Sequence, residues 1–346
     1  MAKKQPHIFL TGGSGFIGTR IVEELLDKSS PLKPSKITIF DIQPYQGIKN
    51  ELIEFIQGSV CDFEALEKAS KNADVVIHTA AIIDWGTKSE QEVLNINVNG
   101  TKNMIRACKL NNINYLVYTS SLDAVFTGTP LVDIDENQPY PKTHHTVYCE
   151  SKKLGELAVL EAHSTTLKTC ILRPSDVYGE ADPYHIDSLI DMAKSGFYVR
   201  LGNGKSNCQH VYVGNMAYAH VLAANALWTN NSKVEKEIYF ITDGKGSNFF
   251  KFFDKVVEGA GYKIFPKNAW IPKTLAYSIG SLSEATAILM RPIKKYNPKF
   301  SRFAVIYTCT DFTFSSKKAS EDFNFHPKYS TEEALQKTIK FYSKNK

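Results

Sequence analysis

The sequence predicts an α/β fold, a doubly wound parallel sheet with a smaller α+β lobe in the C-terminal half. Three observations predict it. Short apolar runs alternate with helix-like segments through roughly the first half of the chain, and runs that are apolar on both faces suit parallel strands covered on each side. Gly12, Gly15 and Gly18 recur at a three-residue spacing between the first such run and the first helical segment. Past Gly179 the segments become shorter and more irregular. The chain, at 346 residues, is long enough to bury a large core.

The first run, His7-Ile8-Phe9-Leu10, enters Thr11-Gly12-Gly13-Ser14-Gly15-Phe16-Ile17-Gly18, and a helix is expected over 19–28. Strand, glycine turn and helix are the layout of a dinucleotide-binding (Rossmann) βαβ start. Gly12 allows the tight turn, Gly15 leaves bare backbone for a pyrophosphate, and Gly18 lets the helix lie close to the strand. The phosphates would sit at the positive end of that helix, against Phe16 and Ile17. The string TGGSGFIG resembles the fingerprint of the extended short-chain dehydrogenases.

Lys36-Ile37-Thr38-Ile39-Phe40 reads as the second strand and ends at Asp41. A carboxylate there is placed to accept both hydroxyls of an adenosine ribose and would repel a 2′-phosphate, so Asp41 favours NAD over NADP. Leu52-Ile53-Glu54-Phe55-Ile56 is the third strand. Gly58-Ser59-Val60-Cys61-Asp62 then resembles the family's adenine loop, with Ser59 in place of an aspartate and backbone at Val60 as a further contact. Residues 74–81 form a near-continuous apolar strand whose small Ala80 would let the cofactor pass; His78 within it is a core histidine. A helix over 89–109 carries Asn97, which would fix backbone near the site. Tyr115-Leu116-Val117-Tyr118 is the fifth strand, ending in Thr119-Ser120-Ser121. The expected order is β-α-β-(α)-β-β-α-β. Gly12, Asp41, Ala80 and Ser121 all fall at strand carboxyl ends, where ligands bind in such sheets.

Tyr148-Cys149-Glu150-Ser151-Lys152 follows. Tyr148 and Lys152 stand four apart, so on a helix they share a face. A nearby ammonium favours the phenolate, so Lys152 is expected to lower the pKa of Tyr148 from about 10. Such a tyrosine can exchange a proton with a carbinol oxygen. Ser121, with Ser120 as its rival, would hold that oxygen beside the nicotinamide. The resemblance implies these three as the catalytic residues, with Tyr148 and Lys152 also touching the cofactor. Cys149 points elsewhere on the helix and is read as packing. Arg173-Pro174-Ser175-Asp176-Val177-Tyr178-Gly179 resembles the segment where a strand end meets the nicotinamide, walled by Pro174 and Val177. Tyr178 is read as facing substrate, with a core position as the alternative.

His210-Val211-Tyr212-Val213-Gly214-Asn215-Met216-Ala217-Tyr218-Ala219-His220 resembles the 3β-hydroxysteroid dehydrogenase branch, and the Asn203-Gly204-Lys205 turn resembles the sterol-4-carboxylate 3-dehydrogenases. That resemblance implies NAD-linked interconversion of a secondary alcohol and a ketone on a hydrophobic alicyclic substrate, a 3β-hydroxysteroid or sterol. Ile82, Ile83 and Trp85 would form an apolar substrate rim. His210 is open between orienting substrate and packing. Sugar-nucleotide epimerases or dehydratases carry an arginine for the diphosphate near where this chain has Cys208, so that alternative is disfavoured. A catalytically silent NAD-sensing protein is a second alternative, against which Ser121, Tyr148 and Lys152 argue. The expected division is a NAD-binding domain over 1–180, rejoined by about 205–245, and a substrate lobe over 181–346. A homodimer is expected by analogy with the family.

Composition sets outer bounds. The formal charge is +5, and with only six arginines against a total of 41 basic residues the surface does not suit nucleic-acid readout. The cysteines are scattered without a C-x-x-C pair, against zinc or a redox couple and in keeping with a reducing, cytoplasmic setting. The amino terminus runs straight into the first strand, which predicts no cleaved leader. Residues 270–302 join an apolar helix, with Leu275, Ile279, Leu282 and Leu289 on one face, to Arg291, Lys294, Lys295, Lys299 and Arg302. Two readings stand for it: a helix packed on the substrate lobe, and a peripheral contact with anionic membrane.

Overall fold

The computed structural model describes residues 4–84, 88–290 and 301–344. Its first half reads β1 (His7–Thr11), α1 (Phe16–Leu26), β2 (Lys36–Asp41), β3 (Ile53–Gln57), α2 (Phe63–Ala69), β4 (Val75–His78), α3 (Glu90–Leu94), α4 (Gly100–Leu110) and β5 (Tyr115–Thr119). Then come β6 (Leu131–Ile134), α5 (Val147–Ala162), β7 (Lys168–Pro174), β8 (Asp176–Tyr178), α6 (Ile186–Lys194), β9 (Arg200–Leu201), β10 (His210–Tyr212), α7 (Val213–Trp228) and β11 (Glu237–Ile241). The chain closes with α8 (Phe249–Gly259), β12 (Trp270–Ile271), α9 (Lys273–Met290), α10 (Arg302–Thr308), β13 (Phe312–Phe314), α11 (Lys317–Phe323) and α12 (Thr331–Lys344).

Seven strands form one sheet in the order β11-β7-β5-β4-β1-β2-β3, every neighbouring pair parallel. The order reverses beside β1, the switch point at which a crevice opens. The inner strands are buried on both faces, as their mostly apolar runs require. One expectation is corrected. The optional helix lies after β3 as α2, and β2 passes to β3 through a loop. Asp62 starts α2 by accepting the N–H of Ala65, which is why this helix begins where it does.

The expected long helix over 89–109 is three pieces, since residues Asn95–Asn99 form a π-helical turn between α3 and α4. That turn carries Asn97 inward. Its amide donates to the Ile82 carbonyl and to Ser151 Oγ, each at 2.9 Å, and its carbonyl accepts the Ile82 N–H at 2.8 Å. The loop after β4 is thereby fastened to α5. β11 returns to the main sheet from the second half of the chain and α7 lies against α1, while α6, α8, α9, α10 and three two-stranded pairings build the smaller lobe.

The 210–220 run braces the fold. Asn215 exchanges two hydrogen bonds of 2.8 Å with the backbone of Tyr329, and His220 bonds Thr119 Oγ1 at 2.7 Å. His78 likewise sits in the core between Thr11 and Thr101, its pKa pushed down to about 3 by burial.

Candidate active site

One cavity of about 490 Å³ runs along the carboxyl ends of the sheet from Asp41 to the α6 and α10 side of the lobe. At its cofactor end Gly12 holds φ at +72°, and a Cβ there would lie 2.7 Å from the Ala80 nitrogen, so the turn requires glycine. A Cβ on Gly18 would fall 2.1 Å from the Gly12 carbonyl oxygen, which leaves no side chain possible without moving the helix. A Cβ on Gly15 would come within 4 Å only of the Gly12 oxygen, at 3.2 Å, so this cradle faces the cavity. No side chain caps α1 and its first turn carries no acid, leaving a positive helix end open to a pyrophosphate.

Asp41 fits the ribose. Its carboxylate accepts the Ser14 N–H at 3.0 Å and the Gln43 N–H at 2.9 Å, one on each oxygen, so each oxygen retains a lone pair for a ribose hydroxyl. Phe16, Ile17, Ser59, Val60, Ala80, Pro174 and Val177 line the same cavity. Ser59 also accepts the Cys61 N–H at 3.2 Å, which shapes the loop after β3. These residues fit a dinucleotide.

Ser121, Tyr148 and Lys152 meet over the middle of the cavity. β5 delivers Ser121 at its end, and Thr146 caps α5 by accepting the Cys149 N–H, so Tyr148 stands in the first turn and Lys152 one turn further. Lys152 is buried; its ammonium donates to the Thr119 carbonyl at 3.0 Å, and burial pulls its pKa down to about 8. The expectation that Lys152 lowers the phenol pKa is not met in this geometry. Burial and the Asp123 carboxylate hold Tyr148 well above its ordinary value, against a lowering hydrogen bond with Ser121. Ser121 donates to Asp123 at 2.7 Å, whereas the rival Ser120 hydroxyl is buried with no partner among the described residues. Cys149 is buried and takes a hydrogen bond from Thr146 at 3.1 Å, a packing position.

At the substrate end Ile82 and Ile83 line the cavity. Trp85 lies outside the described residues. Tyr178 is corrected: it is 1% exposed, does not line the cavity, and packs edge-on against Phe252 of α8 with ring centroids 4.8 Å apart. His210 is also a core residue, stacked on Phe252 and paired with Asp176 at 3.1 Å. Cys208 is buried in the lobe, away from the cavity.

Sequence reasoning missed a charged cluster here. Asp123, Asp176, Tyr184, His185 and Tyr307 all line the cavity. His185 Nε2 lies 2.8 Å from Asp176, and Tyr307 donates to the same carboxylate at 3.2 Å. Burial opposes a charge on His185, but Asp176 outweighs it and lifts the imidazole to about 9, so the pair is ionic at neutral pH. The signal available in the sequence was Asp176 itself, an acid inside an apolar strand segment. Its partners come from α6 and α10, too far along the chain for any spacing rule.

A strand-end carboxylate for a ribose, a bare helix end for phosphates and a buried serine, tyrosine and lysine over one cavity define a class: an NAD-dependent dehydrogenase of the extended short-chain type. The chain belongs to the 3-beta hydroxysteroid dehydrogenase/isomerase family, whose family model matches residues 9–270. Short-chain dehydrogenase/reductase family 42E member 1 of Danio rerio is 32% identical over 349 residues, covering 96% of this chain and 88% of its own length. The sterol-4-alpha-carboxylate 3-dehydrogenase erg26, decarboxylating, of Schizosaccharomyces pombe is 31% identical over 333 residues, covering 94% and 95%. Among solved structures, the epimerase Mth375 of Methanothermobacter thermautotrophicus superposes with a TM-score of 0.77 at 18% identity, covering 99% of this chain and 94% of that one. DesIV, a dTDP-glucose 4,6-dehydratase of Streptomyces venezuelae, gives 0.77 at 18%, covering 98% and 97%. At that identity the likeness concerns the fold.

Proposed function

We propose that this protein interconverts a secondary alcohol and a ketone on a steroid or sterol, at the 3β-hydroxyl, with NAD as cofactor. The observation that carries the reading is one cavity holding Asp41 at one end, Ser121, Tyr148 and Lys152 in the middle and Ile82 and Ile83 near the reacting residues. NAD, when bound, supplies the hydride acceptor. Tyr148 exchanges the carbinol proton, Ser121 holds the substrate oxygen, and Lys152 places a positive charge beneath the phenol ring, 5.9 Å from its centroid. Asp41 supports NAD over NADP by excluding a second negative charge. Among the described residues the cavity wall includes no arginine, which speaks against a nucleotide-sugar diphosphate. The test is NADH formation across 3β-hydroxysteroids, sterols with and without a 4-carboxylate, bile acids and nucleotide sugars, with Tyr148→Phe as control. Oxidation of a steroid that disappears in Tyr148→Phe is expected. Turnover of nucleotide sugars alone, or steroid activity surviving the substitution, overturns the reading.

The same reading includes a lipid surface for α9. This helix forms, but with its bulky side outward: Leu275, Ile279, Leu282 and Leu289 are 53%, 41%, 70% and 76% exposed. At 100° per residue they share one face. The opposite side buries Ala276, Gly280 and Ala287, and a Cβ on Gly280 would lie 3.0 Å from the Arg302 nitrogen, so α9 meets α10 through its small residues. The helix is thus packed on the lobe through its small residues and keeps its leucine face outward. Arg302 is paired with Glu284 at 2.7 Å, and the other expected basic residues lie outside the described ones. Lys263, Lys267 and Lys273 are exposed, with no acidic residue between Glu258 and Glu284, and this complements an anionic bilayer. Among the described residues no helix is long and apolar enough to cross a membrane. Co-sedimentation with phosphatidylserine vesicles, reduced by Leu282→Ser/Leu289→Ser, is the expected result. No vesicle binding, or a dimer that these substitutions split, refutes it.

A further inference from the structure

The Ser121 hydroxyl has one proton and two lone pairs. It gives the proton to Asp123 Oδ2 at 2.7 Å and accepts the Asp123 N–H at 3.2 Å on one lone pair. One lone pair is left. So long as Asp123 is ionised, Ser121 can only accept from a group entering the cavity. This bears on the reaction proposed above, because its two substrate forms differ in the same respect. A carbinol oxygen can donate a hydrogen bond; a ketone oxygen can only accept one.

We propose that Asp123 is a positioning residue that sets the direction of the Ser121 hydrogen bond, so that its ionised form favours the carbinol and its protonated form favours the ketone. The carboxylate takes the serine proton and presents a lone pair to the alcohol O–H. The carboxylic acid instead donates to Ser121, freeing the serine proton for the ketone oxygen. No bond to carbon changes in this step; one proton on Asp123 reverses two hydrogen bonds.

The surroundings allow both forms. Asp123 is 8% exposed and lines the cavity. Burial pushes its carboxyl up to about 6, with Asp176 adding to this and Ser121, Lys152 and Cys149 opposing it. The groups that face it are Ser121 on its own turn, Tyr148, Cys149 and Lys152 from α5, Asp176 from β8, His185 at the N-terminal end of α6 and Tyr307 from α10. The Cys149 thiol also donates to Asp123 Oδ1, at the long distance of 3.9 Å.

The test rests on the substrate reading and is arranged to fail separately from it. A saturated 3-ketosteroid is titrated into the enzyme–NAD⁺ complex and its 3β-alcohol into the enzyme–NADH complex, neither of which turns over. From pH 5 to pH 8 the ketone-to-alcohol dissociation-constant ratio should rise about tenfold in the wild type, the scale of one reversed hydrogen bond. Asp123→Asn should hold the ratio flat, because its amide can donate to Ser121 at every pH, and Asp123→Glu should restore the slope. Asp123→Asn that keeps the wild-type slope, or a flat wild type, overturns the proposal. A second measurement follows the Asp123 carboxyl by ¹³C NMR. Ser121→Ala should raise its titration midpoint, and an unmoved midpoint overturns the proposal even where Asp123→Asn fails to fold. If neither steroid binds at any pH while that midpoint does move, the steroid reading fails and the Ser121–Asp123 coupling stands.

Discussion

Glu156, one turn beyond Lys152 on α5, forms a buried pair with Arg173, and its disruption can be worked through. Arg173 donates through Nε to one carboxylate oxygen at 2.8 Å and through Nη2 to the other at 2.7 Å; the side chains are 0% and 2% exposed, Glu156 the former. Tyr140 adds a third hydrogen bond to Glu156 at 2.6 Å. Glu156→Gln removes the charge but not the volume, leaving a buried guanidinium without compensation. Breaking such a pair costs ~3–5 kcal/mol. With an unfolding entropy of ~2.1 cal/mol/K per residue, that is a fall of about 4–7 °C in Tm for 346 residues unfolding as one unit. Glu156→Leu/Arg173→Met, which removes both charges, should recover most of the loss. Thermal unfolding followed by circular dichroism reads both variants. A Glu156→Gln melting point within 1 °C of wild type would show that water reaches the pair and that its burial has been overstated. Glu156 also holds the Lys152 ammonium up against burial, so the same variant should shift Lys152 further below about 8.

Three more outcomes are expected. Gly18→Ala would place a methyl 2.1 Å from the Gly12 oxygen, forcing the start of α1 away by about 1 Å and weakening NADH binding at least ~10-fold, read by fluorescence titration; unchanged affinity would mean that the turn yields. Asp41→Asn removes the charge facing the ribose and should raise NADP use relative to NAD at least ~10-fold in kcat/KM; an unchanged ratio would refute the placement of Asp41 at the 2′ position. His185 has its pKa raised to about 9 by Asp176, so its stabilisation is complete below about pH 6.5 and is lost as the pH rises through 9, by at most ~3 kcal/mol. Urea midpoints should show that loss in the wild type and not in His185→Asn; equal losses would assign the slope to other groups.

The parts of this site legible in the sequence are those that a single element or turn places. Gly12 and Gly18 are dictated by one tight turn, Asp41 by the last residue of one buried strand, Ser121 by the exit from another, and Tyr148 with Lys152 by one helical turn. Each is a local rule, and periodicity reads local rules. For Tyr178 the sequence leaves substrate and core both open, because the segment 173–179 does not state which lobe element covers it. Strand β8 actually carries Asp176 to the cavity and Tyr178 on beneath the phenylalanines of α8. His185 and Tyr307 were not legible at all, since only the tertiary approach of α6 and α10 brings them to Asp176. The exposed leucines of α9 show the opposite limit. The helical face was visible in the spacing, but which side the protein covers depends on Gly280 meeting α10, and no hydropathy pattern states that.

Asp176 has a consequence for how the two halves of the molecule work together. The groups proposed to handle the proton, Ser121, Tyr148 and Lys152, hang from the main sheet and α5, whereas Tyr184, His185 and Tyr307 come from the smaller lobe. Asp176 stands between them, at the start of β8 two residues beyond the end of sheet strand β7, and its carboxylate receives His185, His210 and Tyr307 at once. The lobe is therefore tied to the sheet by charge-assisted hydrogen bonds at the cavity wall itself. An alteration in α6 or α10 that spares Asp176 can reshape the substrate end while Ser121, Tyr148 and Lys152 keep their places. Loss of Asp176 would leave two buried imidazoles without their acceptor and free both lobe helices at once, which predicts that this carboxylate matters more to the shape of the substrate site than to the chemical step.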